Sequence, residues 1–313
     1  MSKTSVSKKI VTDDDYDDIV YDNRNIIKKS PISISRVKSK KDMNIMKSVI
    51  TLTFGDMAEN HKGMEQIGKM VDVGEGFKLS DFIKIKEKME KLDRIEGVEI
   101  YDLCKLGEID EKMRDSTMSD GAYIMVIRNG VNAILGDLGE GGDKDEFFDE
   151  QASLNVDKKA FMYGRVVNKN ARWNLCFDDK GKDPDYENGK GRVIAFSDVP
   201  ITKRIVDSME YYFGEKTRDL KGEGNYYYDI SKCGIGFHGD GERRKVLAIR
   251  LGGSLDIHYQ WHKDGEEVGK RIVVPLNGGD IYLMNEKAVG TDWKKKKIYT
   301  LRHAAGCDKF TKK

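Results

Sequence analysis

His238 and Asp240 stand two residues apart in "GIGFHGDGERR", in a chain with only five histidines. Side chains alternate along a β-strand. If residues 236–240 enter one, an imidazole and a carboxylate point to the same side. Two histidines and one carboxylate make a set that holds Fe(II) by one face and leaves positions open for reactants. The flanking glycines equally suit a turn that merely contains the two residues.

The C-terminal end carries another histidine. "LNGGDIYLMNEKAVGTDWKKKKIYTLRHAAGCDKF", 276–310, reads as a Gly-Gly-Asp turn, a strand, a basic hairpin tip at Lys294–Lys297 and a further strand ending at His303. In this order the segments resemble the Fe(II)/2-oxoglutarate dioxygenases. Members of that family carry His-x-Asp on an early barrel strand and a distal histidine on a later one. His238, Asp240 and His303 match, with 65 positions between the histidines. "RHAAG", 302–306, is similar to the distal-histidine segment of prolyl 4-hydroxylases. "EGNYYYDISKCGIGFHGDGERR", 223–244, looks like the AlkB-type branch, in which an Asn-x-Tyr pair binds 2-oxoglutarate, and Asn225 and Tyr227 match that pair. AlkB-type enzymes end on a strand with two arginines. Here Arg302 matches the second and Lys296 replaces the first. No histidine lies between His262 and His303, so the prolyl-hydroxylase-like alignment alone keeps three protein ligands.

The resemblance covers 156–313. It implies a double-stranded β-helix (jelly-roll) that holds Fe(II) on His238, Asp240 and His303, with 2-oxoglutarate and O2 as co-substrates. Lys309 or Arg302, together with Tyr227 and Asn225, would meet the 2-oxoglutarate. The implied activity is hydroxylation or oxidative demethylation of a nucleic acid or modified base. A prolyl or lysyl hydroxylase and a catalytically dead binding module are the alternatives. Glu242 follows His-x-Asp where AlkB-type enzymes carry an acidic residue that touches substrate; a salt bridge to Arg243 or Arg244 is the competing role. "YGRVVNKNARWNLCFDD", 163–179, places Arg165, Arg172 and Asn174 among apolar residues beside Trp173. It reads either as an ordinary strand pair or as a substrate-binding lid, since Arg and an aromatic ring can hold a base or a peptide.

The elements that must carry these residues are short. From 156 onward, apolar runs at 162–168, 192–197, 225–230, 246–251, 255–261, 271–276, 280–284 and 298–303 alternate with Gly, Asn and Asp turns, which predicts strands. One helix interrupts them at 202–215, with Ile205, Met209, Tyr212 and Phe213 on one face. The fold class is therefore mainly β with α. An α/β extension is expected at 46–155. It contains a strand near 46–60, an amphipathic helix at 79–95 N-capped by Ser80, a hairpin about Arg128-Asn129-Gly130 and a Gly/Asp loop at 136–151. Residues 1–45 alternate basic and acidic clusters with few apolar residues and read as a flexible charged arm.

Charged residues make up 35% of the chain but the net charge is only +1, so any basic footprint for nucleic acid must be local. Cys104, Cys176, Cys233 and Cys307 show no CxxC spacing, which argues against zinc and for free thiols in a reducing compartment. No apolar run approaches about 18 residues, and the N-terminus lacks a signal-peptide core. The sequence thus predicts a soluble protein inside the cell, cytoplasmic or nuclear, with no membrane partner. His258 and His262, four apart in an apparent strand near Asp256, share a face and read as a second metal site or as satisfied polar residues.

Overall fold

A computed structural model of the protein describes residues 47–110 and 118–312. The expected charged arm at 1–45 lies outside the described residues. The strands, in chain order, are β1 (Val49–Gly55), β2 (Met57–Glu59), β3 (Gln66–Gly68), β4 (Gly97–Asp102), β5 (Tyr123–Arg128), β6 (Lys159–Met162), β7 (Arg165–Asn168), β8 (Trp173–Asp178), β9 (Val193–Ala195), β10 (Lys221–Tyr227), β11 (Gly234–His238), β12 (Val246–Gly252), β13 (Ile257–Lys263), β14 (Glu266–Val274), β15 (Ile281–Met284) and β16 (Thr300–Gly306). The α-helices are α1 (Leu79–Met89), α2 (Leu103–Leu106), α3 (Gly130–Leu138), α4 (Lys144–Ala152), α5 (Pro200–Phe213), α6 (Glu286–Val289) and α7 (Asp308–Thr311).

Eight strands form one sheet in the order β4-β5-β15-β12-β1-β10-β8-β9, and four form a second in the order β11-β16-β13-β14. Both are antiparallel, apart from the parallel pair β8–β9. Pairs β2–β3 and β6–β7 stand as separate hairpins. The protein is therefore mainly β with α, built on a large antiparallel sheet.

That sheet is covered on both faces. On one, Leu52, Phe54, Leu247, Ile249 and Leu283 pack against Phe82, Ile85 and Met89 of α1, Ile134 of α3, Phe147 of α4, and Ile205 and Met209 of α5. On the other, Val246, Ala248 and Tyr282 pack against Tyr259, Trp261 and Leu301 of the smaller sheet. Double coverage explains why β12 reads as a continuous apolar run, not an alternating one. The candidate ligands His238 and His303 lie on β11 and β16 of the smaller sheet.

The two parts separated at 155/156 in the sequence share this sheet, because β1, β4 and β5 interleave with strands from the C-terminal half. Helix α5 buries the face its periodicity predicts, from Pro200 at its first turn to Gly214 at its C-cap. Four local expectations fail. Arg128-Asn129-Gly130 is not a hairpin: Asn129 takes the left-handed conformation the dipeptide signals (φ 56°), but it N-caps α3. Its Oδ1 accepts from Asn132 Nδ2 at 2.7 Å, and Val131, Ile134 and Leu135 bury a helical face. Half of the loop at 136–151 is α4, because Asp143 caps it by accepting from the Asp145 and Glu146 amides at 2.9 and 2.8 Å. Lys294–Lys297 is exposed but is no hairpin tip, since β15 and β16 belong to different sheets. Ser80 is also not the cap of α1; Lys78 is, and its amide donates to Asp81 Oδ2 at 2.8 Å.

Candidate metal centre

β11 and β16 pair antiparallel, with Ile235 opposite Ala305 and His238 opposite His303. Three steps on β11 match two on β16, so a β-bulge lies between. Strict alternation would turn His238 to the far face, and the extra residue turns it back beside His303. The imidazoles sit 4.5 Å apart, centroid to centroid, at 60°. His238 Nδ1 lies 2.8 Å from the Gly236 carbonyl and 3.0 Å from that of His303. Both partners are acceptors, which suits a proton on Nδ1 and turns Nε2 toward Asp240.

Asp240 does not extend the strand as the spacing suggested. β11 ends at His238, and Asp240 sits in the following turn, its amide donating to the Val289 carbonyl at 3.0 Å. Gly239 makes this turn possible: a Cβ there would lie 2.1 Å from the Gly290 carbonyl oxygen and 2.7 Å from Trp293 Cβ. Asp240 Oδ1 is 3.5 Å from His238 Nε2 and 3.5 Å from His303 Nε2. The three ligand atoms lie within 4.8 Å of one another, and no other cluster of this kind occurs among the described residues. His238, Asp240 and His303 could thus bind a metal ion, and His258 and His262 join no such group.

The electrostatics suit a cation. Burial alone would raise the Asp240 carboxyl, but Arg243 and the two imidazoles outweigh it and hold the group well below the usual carboxylate range. Burial, then the neighbouring His238, lowers His303, which favours the neutral imidazole a metal needs. Arg243 Nε stands 3.6 Å from Asp240 Oδ2. Its Nη2 donates to Glu242 Oε1 at 2.7 Å and to Glu223 Oε2. Glu242 therefore forms the salt bridge weighed above. Burial raises its carboxyl, Arg243 opposes, and the neighbouring Asp240 and Glu223 help push it up to about 7.

Some 50% of residues are identical over 270 aligned positions between this chain and an uncharacterized protein of Acanthamoeba polyphaga mimivirus, a match covering 86% of this chain and 100% of the viral one. The chain belongs to that protein's family. No family model matches it.

Asn225 and Tyr227 lie on β10 and face the smaller sheet. Asn225 Oδ1 accepts from Arg172 Nε at 2.6 Å and Asn174 Nδ2 at 2.9 Å, and its Nδ2 donates to Glu223 Oε1 at 3.0 Å. A chain of hydrogen bonds thus runs from Arg172 through Asn225 and Glu223 to Arg243, which forms an ion pair with Asp240 at 3.6 Å. Tyr227 is buried beside Cys233 and Ala305. The structure does not bring Arg302, Lys309 or Arg165 to the triad. Arg302 follows Leu301 and precedes His303, both inward, so it points to the opposite face of the small sheet, its guanidinium 5.4 Å from the Trp293 ring. Lys309 is exposed on α7, over Phe310, beside Gly234 at the far end of β11. Arg165 is exposed on β7.

The basic residue that does face the space between the sheets is Arg250 of β12. It is 1% exposed, donates from Nη1 to Thr51 Oγ1, and has no ion pair among the described residues. Register aligns Arg250, Thr51, Asn225 and Asn174 in one row across four neighbouring strands. Arg250 Nε, His303 Nδ1 and the Tyr259 hydroxyl are buried without a hydrogen-bond partner. Arg243 Nη1 and Arg302 Nε are buried in the same way, and buried polar atoms without a partner are uncommon in folded proteins. The signal for Arg250 was present in the sequence: a lone arginine inside the apolar run "VLAIRLGG".

Proposed function

We propose that the protein is an Fe(II)- and 2-oxoglutarate-dependent oxygenase whose metal sits on His238, Asp240 and His303. The observation that carries this reading is the convergence of two imidazole Nε2 atoms and one carboxylate oxygen at the end of the β11–β16 pair. That donor set fits Fe(II) and leaves coordination positions for reactants. Bound there, the metal with 2-oxoglutarate and O2 supplies oxidation of a substrate C–H bond, with succinate and carbon dioxide as co-products.

The strand pairing supports a jelly-roll, the double-stranded β-helix. Pairs β13–β14, β12–β15, β11–β16 and β10–β1 nest about the β13–β14 turn and fall alternately in the two sheets. The eighth strand of this set, β1, comes from the N-terminal side of the chain.

The chain's own residues hold and orient. Arg250, fixed by Thr51, receives the far carboxylate of 2-oxoglutarate, with Tyr227 beside it. This replaces both Lys309 and Arg302 in that role. Arg243 keeps Asp240 ionised and aimed, and Glu223 and Glu242 hold Arg243 in turn.

Anaerobic titration with Fe(II) or Co(II), followed by succinate production from 2-oxoglutarate in air, tests the reading. One metal ion per chain is expected, lost in His238→Ala, Asp240→Ala and His303→Ala. Unchanged metal affinity in these variants refutes the metal centre. Normal metal binding with no effect of 2-oxoglutarate on the Co(II) spectrum refutes the co-substrate.

A further inference from the structure

The hairpin β6–β7 is the part of the molecule the metal centre does not explain. It stands outside both large sheets. Its two-residue turn is Tyr163-Gly164, with φ 55° and 74°. A turn with positive φ at both positions is made by Asn-Gly or Gly-Gly, and a bulky aromatic residue avoids it. The Tyr163 ring is 89% exposed, the most exposed large apolar side chain among the described residues. The fold makes no use of it, yet holds it in a disfavoured conformation at a tip.

Charge gathers on the same element. Residues 157–172 contain Lys158, Lys159, Arg165, Lys169 and Arg172 against a single acid, Asp157, in a chain whose total is only +1. Asp157 is buried and occupied, accepting from Asn60 Nδ2 at 2.8 Å, the Tyr186 hydroxyl at 2.6 Å and the Arg192 amide at 2.6 Å. None of the five cations forms an ion pair among the described residues, and Lys158, Lys159 and Arg165 are exposed. Where the hairpin joins the body, Trp173 stacks on Tyr228 at 4.3 Å, with the Lys158 ammonium 4.3 Å from the Trp173 ring centre. The next residue along, Arg172, begins the chain of polar contacts that reaches Asp240 through Arg243.

We propose that hairpin β6–β7 is a docking arm for single-stranded nucleic acid, the exposed cations meeting phosphates and Tyr163 stacking on a base. This names the substrate class for the oxygenase proposed above and rests on that reading for its catalytic meaning, but binding itself needs no metal. Cations interleaved with aromatic rings are how sequence-tolerant single-strand binding is built. The spread of charge over both strands of a narrow arm suits a flexible polyanion better than a duplex.

Fluorescence anisotropy of a labelled oligo-dT with the full, metal-free chain tests this. Affinity should fall with salt, by about 0.7 in log–log slope per phosphate contact, and Lys158→Ser/Lys159→Ser/Arg165→Ser should flatten that slope by about 2. Tyr163→Asn should weaken binding roughly 5- to 150-fold. It installs Asn-Gly in the turn, so the loss cannot come from a broken hairpin. Both variants should keep wild-type Co(II) affinity. Three results overturn the arm: no oligonucleotide binding, a salt slope indifferent to the triple substitution, or a Glu-rich peptide that binds as tightly and ignores Tyr163→Asn. If oligonucleotide binds as described but Co(II) does not, the arm stands and the oxygenase falls.

Discussion

Replacing Arg250 by methionine should weaken 2-oxoglutarate binding while leaving the protein as stable as before or more so. The guanidinium is buried to 1% exposure, donates to Thr51, and leaves Nε–H with no acceptor. An orphaned buried donor costs about 1–3 kcal/mol, and the Thr51 hydrogen bond returns about 1 kcal/mol. Methionine fills similar length without a charge, so the net change should be about 0–2 kcal/mol in favour of the variant. At roughly 2–4 °C per kcal/mol the melting temperature should be unchanged or rise by up to about 8 °C. Binding should move the other way. A hydrogen bond between ionised partners contributes about 1.5–3 kcal/mol, which is a roughly 10- to 150-fold weaker dissociation constant. Calorimetric titration of 2-oxoglutarate into anaerobic Fe(II) protein, beside a thermal melt of the apoprotein, reads both. Unchanged 2-oxoglutarate affinity removes Arg250 from the site. A melting temperature lowered by several degrees would show that Arg250 is held by interactions that outweigh its orphaned donor.

Gly239→Ala should cost about 1–3 kcal/mol of stability and weaken Co(II) binding, because its Cβ would overlap the Gly290 carbonyl and push the turn that carries Asp240; a normal Co(II) titration would refute the close approach. Tyr163→Asn should raise the unfolding free energy by about 1 kcal/mol by relieving the left-handed tyrosine, measured by urea denaturation, and a loss of stability would mean the ring packs on something. His258→Ala and His262→Ala should keep full metal affinity, since both lie outside the triad. Burial pulls the Lys169 ammonium from 10.5 down to about 8. Between those values the unfolded chain binds the proton more than the folded one, so stability should rise with pH by at most about 1.4 kcal/mol per unit. Lys169→Met should flatten that rise in urea melts from pH 8 to 10, and parallel curves for the two proteins would refute the shift.

The sequence carried the strands of the C-terminal half and the triad, because short apolar runs between turn residues and a His-x-Asp are local signals. It misassigned what depends on a distant partner. Arg128-Asn129-Gly130 has hairpin chemistry, and only the burial of Val131, Ile134 and Leu135 under the large sheet makes it a helix start. Asp240 reaches the two histidines through a turn, where alternation along a strand was expected; the bulge in β11 that aligns the histidines leaves no mark that a period-two reading detects. Lys309 was favoured by its distance from His303 along the chain and Arg302 by its match to the second arginine of an AlkB-type final strand, yet Arg302 faces the opposite side of its sheet and Lys309 faces solvent. Arg250 was overlooked because its role depends on a neighbour, Thr51, brought in from far upstream.

That neighbour has a consequence for how the protein is made. Thr51 and Arg250 are 199 residues apart, and β1 sits between β10 and β12, both synthesised long after it. At about 5–20 residues per second, β1 leaves the ribosome about 9–34 s before the first strand that will flank it, β10, exists. Throughout that interval "VITLTFG" is an uncharged, β-branched segment with both edges open, the composition that nascent chains aggregate through. Its pairing also closes loops of great length, so the last event in assembling the large sheet should be slow relative to the local hairpins. A chaperone that shields the first sixty or so residues should therefore raise the yield of folded protein more than one acting on the finished chain, and moving β1 to follow β16 by circular permutation should remove the delay.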